Sequence, residues 1–232
     1  MKFLQISMLI AAIGFSTSFL TAQSNIKTYA FKKGEILDIL LITSKPNYEP
    51  LFEEYKKTAF PIAMKMGFQP LPGYRITEST QGNHEPSSFI LGKWNDLTNR
   101  EKFIADIEKL VPDFHEQRRA IWSIFDLTYY EMPTDVSFQI DKSKFNVATA
   151  YWGKDIGAFK KFKKSWLTKS KKMGGQEIIK LEDGKSPFGY YYQPDFLVIT
   201  EWETRADFEK FHRENMGMNH TGVQHVNQFI LQ

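Results

Sequence analysis

The sequence predicts an α+β protein made of two copies of one βαββαβ unit, joined in tandem within a single chain. Three observations carry this. A turn is written twice, as MKMGFQ at 64–69 and KKMGGQ at 171–176. Around it, Phe52, Lys56, Lys57, Lys65, Met66, Gly67 and Gln69 fall on Phe159, Lys163, Lys164, Lys172, Met173, Gly174 and Gln176, each 107 residues later. Further on, Trp94 falls on Trp202, and Glu101-Lys102-Phe103 on Glu209-Lys210-Phe211, now 108 residues later. One extra loop residue accounts for the slip. A spacing of this size marks a duplicated domain rather than a solenoid period.

The elements follow in order. Residues 1–23 read as a signal peptide: Lys2 gives a positive start, an apolar core runs to Leu20, and Thr21-Ala22-Gln23 closes it. Gln5, Ser7, Ser16, Thr17 and Ser18 interrupt the run, which is short for a membrane span. The first unit is placed at 24–131. ILDILLIT (36–43) is a strand, and Pro46-Asn47-Tyr48-Glu49-Pro50 a turn. Phe52, Tyr55, Ala59, Ile62, Ala63 and Met66 then mark one helix face. Pro61 is expected to kink this helix and Gly67 to cap it. A strand over 68–78, the polar loop TQGNHEPSS and a strand over 89–94 come next. A helix from about 97 presents Phe103, Ile104, Ile107 and Leu110, and WSIFDLTYYE (122–131) closes the unit. Residues 132–144 read as a linker. The second unit, 145–232, repeats the order with FNVATAYW, a helix carrying Phe159, Phe162, Trp166 and Met173, QEIIKLE, the loop EDGKSPFGYYYQPD, FLVITEW, a helix from near 204, and VQHVNQFIL.

Each unit so read is a four-stranded antiparallel sheet with both helices on one face. The bare face needs cover, and the other copy supplies it, giving an eight-stranded barrel with helices outside. With Met66-Gly67, Met173-Gly174-Gly175, Trp94, Trp202 and the two Glu-Lys-Phe triplets, the chain resembles the dimeric α/β-barrel superfamily over 36–231. The form implied is two tandem ferredoxin-like units forming an intramolecular dimeric α/β barrel. The superfamily includes antibiotic-biosynthesis-monooxygenase-like enzymes without cofactor, haem-degrading monooxygenases, haem-dependent chlorite dismutases and stress-response or unknown-function barrels. The resemblance implies a fold and leaves the function open.

Composition narrows the field. The absence of Cys excludes disulfides, thiolate metal sites and cysteine nucleophiles. Together with the leader it favours a bacterial periplasmic or secreted protein. A net charge of +3 gives no case for nucleic acid. After cleavage of the leader no segment is apolar enough for stable membrane insertion. His212 and His220 lack the spacing of a zinc helix motif, so no metal site is expected. No GxSxG, HExxH, Walker A or GxGxxG pattern occurs.

Of the five His, at 84, 115, 212, 220 and 225, three crowd into the second unit, where Ile104 of the first unit has become His212. Imidazoles move protons near neutral pH or bind haem iron. Trp202, Phe211 and His220 follow the order seen in the haem-degrading branch, with Asn146 standing for its strand asparagine. The resemblance and the histidine cluster together give catalytic candidates at His220 and His225 and ligand contacts at Asn146, Trp202, Phe211 and His212, to which the tyrosine loop adds Tyr191. Haem is the cofactor the resemblance brings to mind. The plainer reading makes Trp202 core and gives the histidines local hydrogen bonds. Lys93 and Glu201, equivalent in the repeat, are either an inward charged pair or solvated strand ends. The tyrosine loop is a lid or a partner patch, and the basic run 160–172 a solvated helix face. Three functions stay open: a binding module for a small apolar molecule in a cleft between sheet and helices, a haem-handling or cofactor-free oxygenase, and a structural or interaction protein.

Overall fold

The computed structural model describes residues 25–232, so the signal-peptide expectation over 1–23 lies outside the described residues. The first unit runs β2 (Ile36–Ser44), α1 (Glu49–Lys65), β3 (Phe68–Gln81), β4 (Ser88–Trp94), α2 (Leu97–Leu110), α3 (Phe114–Ile121) and β5 (Trp122–Glu131). The second runs β7 (Phe145–Gly153), α4 (Ile156–Lys172), β8 (Gln176–Leu181), β9 (Phe196–Trp202), α5 (Arg205–Met216) and β10 (Val223–Leu231). A separate ribbon pairs β1 (Ile26–Phe31) with β6 (Val136–Asp141).

The sheet order is β5-β2-β4-β3-β10-β7-β9-β8, with all neighbours antiparallel. Each half is the ferredoxin-like order, and β3 joins β10 across the units. The tandem α/β barrel is thus the fold of the chain. Two sharp turns serve it at equivalent places: Gly67 and Gly174 leave α1 and α4 at φ +95° and +100°, a region other residues avoid. Helices α2, α4 and α5 start on Asp96, Asp155 and Thr204, whose side chains accept the backbone N–H of Asn99, Ala158 and Asp207.

The sequence reading needs three corrections. Residues 132–144 hold a strand, because Val136, Phe138 and Ile140 alternate with Ser137, Gln139 and Asp141. Phe138 and Ile140 turn inward with Tyr29 and Phe31 and cap the barrel interior. The helix expected to run on past residue 110 breaks at Val111-Pro112-Asp113, and α3 is a separate helix. Leu110, expected on the apolar face, is 54% exposed. Finally, Lys93 and Glu201 do not pair with one another. Lys93 Nζ meets Glu35 at 2.6 Å and donates to Ala30 O on β1, whereas Glu201 Oε2 accepts Asp141 N of β6. Equivalent positions of the two units thus fasten opposite ends of the capping ribbon.

The core has three parts: the barrel interior, and one layer between sheet and helices in each unit. The two helix layers solve packing differently. Ala59 of α1 corresponds to Trp166 of α4. In the first unit α3 fills the space, with Phe114 fully buried beside Tyr55. The second unit has no third helix, and Trp166, also fully buried, fills the space itself between Tyr151, Phe196 and Phe211. A side chain of that size contributes several kcal/mol of burial, about 3–5 kcal/mol by truncation.

Candidate functional site

Aromatic rings pack the second unit's helix layer around the residues expected there. Phe211 stacks on Trp202 at 5.0 Å and meets Trp166 at 5.2 Å, and all three are buried. Trp202 donates Nε1–H to Thr200 Oγ1. Asn146 is buried and braces a turn, its Nδ2 donating to Asp141 O at 2.8 Å and Lys144 O at 3.2 Å. His212 Nδ1 sits 3.1 Å from Gln228 Oε1, and His220 Nδ1 sits 2.8 Å from Met218 O with its ring on Phe162. These five residues are part of the packing and do not converge on one cavity. Grooves remain at the layer's margin: one of about 630 Å³ beside α4, bordered by Phe159, Lys163, Leu167 and Phe196, and one between α4 and β8, where Leu167 and Gly175 replace the Phe60–Phe68 ring contact of the first unit.

Two of the expected residues, His225 and Tyr191, do meet, at one end of the barrel. A cavity of about 320 Å³ opens there, bordered by His84, Asp126, Trp152, Tyr190, Tyr191, Tyr192, His225 and Asn227. His84 comes from the loop between β3 and β4. Gly82 lets this loop lie against β10: at φ +90°, a Cβ there would stand 2.4 Å from Val226 O. Asp126 is the one acid in the interior of the apolar strand β5, which ends on Glu131. His84 Nε2 lies 2.8 Å from Asp126 Oδ2, with both side chains mostly buried and the ring not directed for a linear hydrogen bond.

Aromatic walls surround the pair. Tyr192 lies 5.4 Å from the His84 ring and meets Trp152 edge-on at 5.2 Å, and Trp152 in turn packs on His225 at 5.0 Å. The Tyr192 hydroxyl and Asn227 Oδ1 are buried, and neither makes a hydrogen bond of good geometry. Burial pushes the Tyr192 phenol well above its usual range, and the nearby Asn227 amide offsets this in part.

The loop 182–195 holds Tyr190–Tyr192 in place. Three of its residues other than glycine, Asp183, Phe188 and Tyr191, have φ near +55° to +58°. Such backbone persists only where surrounding contacts impose it. Those contacts come from the first unit. Arg118 is stacked between Phe114 and Phe125 at 4.0 and 4.3 Å, and donates to Tyr190 Oη at 2.8 Å and Tyr55 Oη at 3.1 Å. Thr128 donates to Tyr192 O, and Ser186 to Leu127 O. Tyr191 alone projects, 89% exposed at the cavity rim. Arg118 is thus a buried strut for the loop.

Haem does not fit these residues. His220 turns Nδ1 to Met218 O, and its ring packs against Phe162. The cavity next to His225 is at the small end of ligand sites, about 300–1,000 Å³, and suits two or three fused rings better than a tetrapyrrole. Among the described residues no cluster of His, Cys, Asp or Glu could hold a metal ion.

No family model matches the chain, and no curated protein matches its sequence. Solved structures do match in fold. An anthrone oxidase-like protein superposes with TM-score 0.50 at 11% identity, covering 89% of this chain and 94% of its own. Chlorite dismutase from Candidatus Nitrospira defluvii gives 0.49 at 8%, covering 87% and 92%. A provisionally named monooxygenase of Fusobacterium nucleatum gives 0.41 at 14%, covering 87% and 93%. At these identities the likeness is one of fold.

Proposed function

We propose that the barrel-mouth cavity binds a small planar, hydroxylated or carbonyl-bearing aromatic compound, and that His84, with Asp126 beside it, exchanges a proton with it. The observation that carries this reading is the His84–Asp126 pair set among aromatic rings, with the Tyr192 hydroxyl and Asn227 Oδ1 left unpartnered beside it. An unpaired buried polar atom costs about 1–3 kcal/mol. A ligand offering a donor to Asn227 and an acceptor to Tyr192 relieves that cost, and Trp152 and Tyr191 supply ring faces.

Anthrone, named for one fold neighbour, comes to this chain only as the first compound to try. The experiment is exchange of anthrone's acidic ring C–H for deuterium in D₂O, followed by proton NMR. Exchange faster than in buffer, lost in His84→Ala and reduced in Asp126→Asn, supports the reading. Binding without exchange leaves a binding module. Full exchange in His84→Ala removes His84 from the mechanism. We also propose export, which rests on residues 1–23 alone.

A further inference from the structure

The two junctions between the units are unequal. At one, β3 and β10 are joined by paired residues from Gln81↔Gln228 to Ile76↔Leu231. At the other, β5 and β8 are the free ends of the strand order. No ladder joins the two strands: β5 meets the chain only beyond the end of β8, through the bridge Tyr129↔Lys185 and the Ser186–Leu127 and Thr128–Tyr192 hydrogen bonds. Between the strands is a cavity of about 880 Å³, within the range of ligand sites. Its walls include Tyr129, Met132, Val136, Ile179 and Leu181. Tyr130 also borders it. This residue is 1% exposed, and its hydroxyl has no hydrogen-bond partner. A buried phenol without a partner is uncommon in folded proteins.

We propose that this seam is a second ligand site, taking an elongated apolar molecule whose one polar head, a neutral carbonyl or hydroxyl, is hydrogen-bonded by Tyr130. The shape follows from the strands: six residues of β8 at about 3.3 Å each make a slot roughly 20 Å long. The neutral head follows from burial, since a carboxylate at Tyr130 would lose far more hydration than one phenol returns. The slot opens on the barrel's side and the His84 cavity on its end, and Tyr130 borders only the slot.

The test is a fluorescence titration with 6-propionyl-2-(dimethylamino)naphthalene, an elongated ketone whose emission reports polarity and hydrogen bonding. Saturable, blue-shifted binding is expected, with excess anthrone having no effect. Ile179→Trp, which fills the slot, weakens it at least about tenfold, and Tyr130→Phe weakens it about fivefold, the worth of one hydrogen bond. Tyr130→Phe also shifts the bound emission further to the blue, because the carbonyl has lost its donor. No saturable binding, displacement by anthrone, or unchanged affinity in Ile179→Trp overturns the proposal. Unchanged affinity and emission in Tyr130→Phe overturns it as well. If Ile179→Trp does not fold, Val136→Phe at the half-buried wall carries the same test.

Discussion

Trp94 donates its indole Nε1–H to Asp38 Oδ2 at 2.9 Å, deep inside the first unit. Its counterpart Trp202 donates instead to Thr200. The difference spreads to the neighbours. Asp38 also receives Arg100 Nε at 2.9 Å, and the Arg100 guanidinium lies over the Trp94 and Tyr129 rings. In the second unit, Val147 and Phe208 stand where Asp38 and Arg100 stand. One unit closes its helix layer with a buried ion pair, the other with apolar packing.

That comparison gives the first prediction. Asp38→Val leaves a buried guanidinium unpaired, and urea unfolding should show a loss of about 3–5 kcal/mol. The double variant Asp38→Val/Arg100→Phe, which copies the second unit, should recover most of it. The remaining loss is one hydrogen bond, about 1 kcal/mol, because Trp94 then lacks its acceptor. Supplying one with Gly92→Thr is blocked, since a Cβ there meets Phe68 at 2.5 Å. A double variant as unstable as the single one would contradict this account.

Arg118 should govern the tyrosine loop. Arg118→Leu keeps bulk in the stack but removes both donors to Tyr55 and Tyr190. Chymotrypsin should then cut at Tyr190 or Tyr191 at least about fivefold faster than in the wild type, because the energy holding the loop closed falls by about 1 kcal/mol or more. Cleavage at an unchanged rate would show that Thr128 and Ser186 suffice to hold it.

The ribbon is clasped at both ends, so the two clasps should act independently. Lys93→Met and Glu201→Met should each lower stability by about 1–2 kcal/mol, and the double variant by nearly the sum. Strong non-additivity in thermal unfolding would indicate that the ribbon releases as one piece.

High pH should unfold the protein through its buried phenols. Burial raises the pKa of Tyr130, Tyr151 and Tyr192, and with Glu101 it lifts Tyr129 to about 12. The unfolded phenols ionise near 10. The stability these groups confer is therefore complete below pH 10 and is lost as pH rises through the folded values. Tm should hold up to pH 9–10 and then drop steeply, with phenolate absorbance appearing together with unfolding. Ionisation well before unfolding would mean that these rings are open to solvent.

Much of the fold could be read from the chain because a duplication repeats its punctuation: Gly67 with Gly174, Trp94 with Trp202. The ribbon was harder to see, since VSFQID alternates correctly but is short and polar, and its partner lies at the other end of the first unit. The site was harder still. Phe211 and Trp202 have the spacing of a ligand wall, yet aromatic residues at that spacing serve equally well to fill a layer, and here they do. His84 and Asp126, far apart in the chain, are brought together only by the folding of the first unit's sheet. The one local sign was an acid inside an apolar strand, WSIFDLTYYE, the same sign that ILDILLIT gives for Asp38.

The capping ribbon also sets an order of events. Strand β1 pairs with nothing but β6, from Ile26↔Asp141 to Phe31↔Val136. A ribosome releases β1 before the first unit, and the chain must then make that whole unit before a partner for β1 exists. Strand β1 is therefore made long before it is seated, and until then the mouth of the barrel opposite His84 stands uncovered.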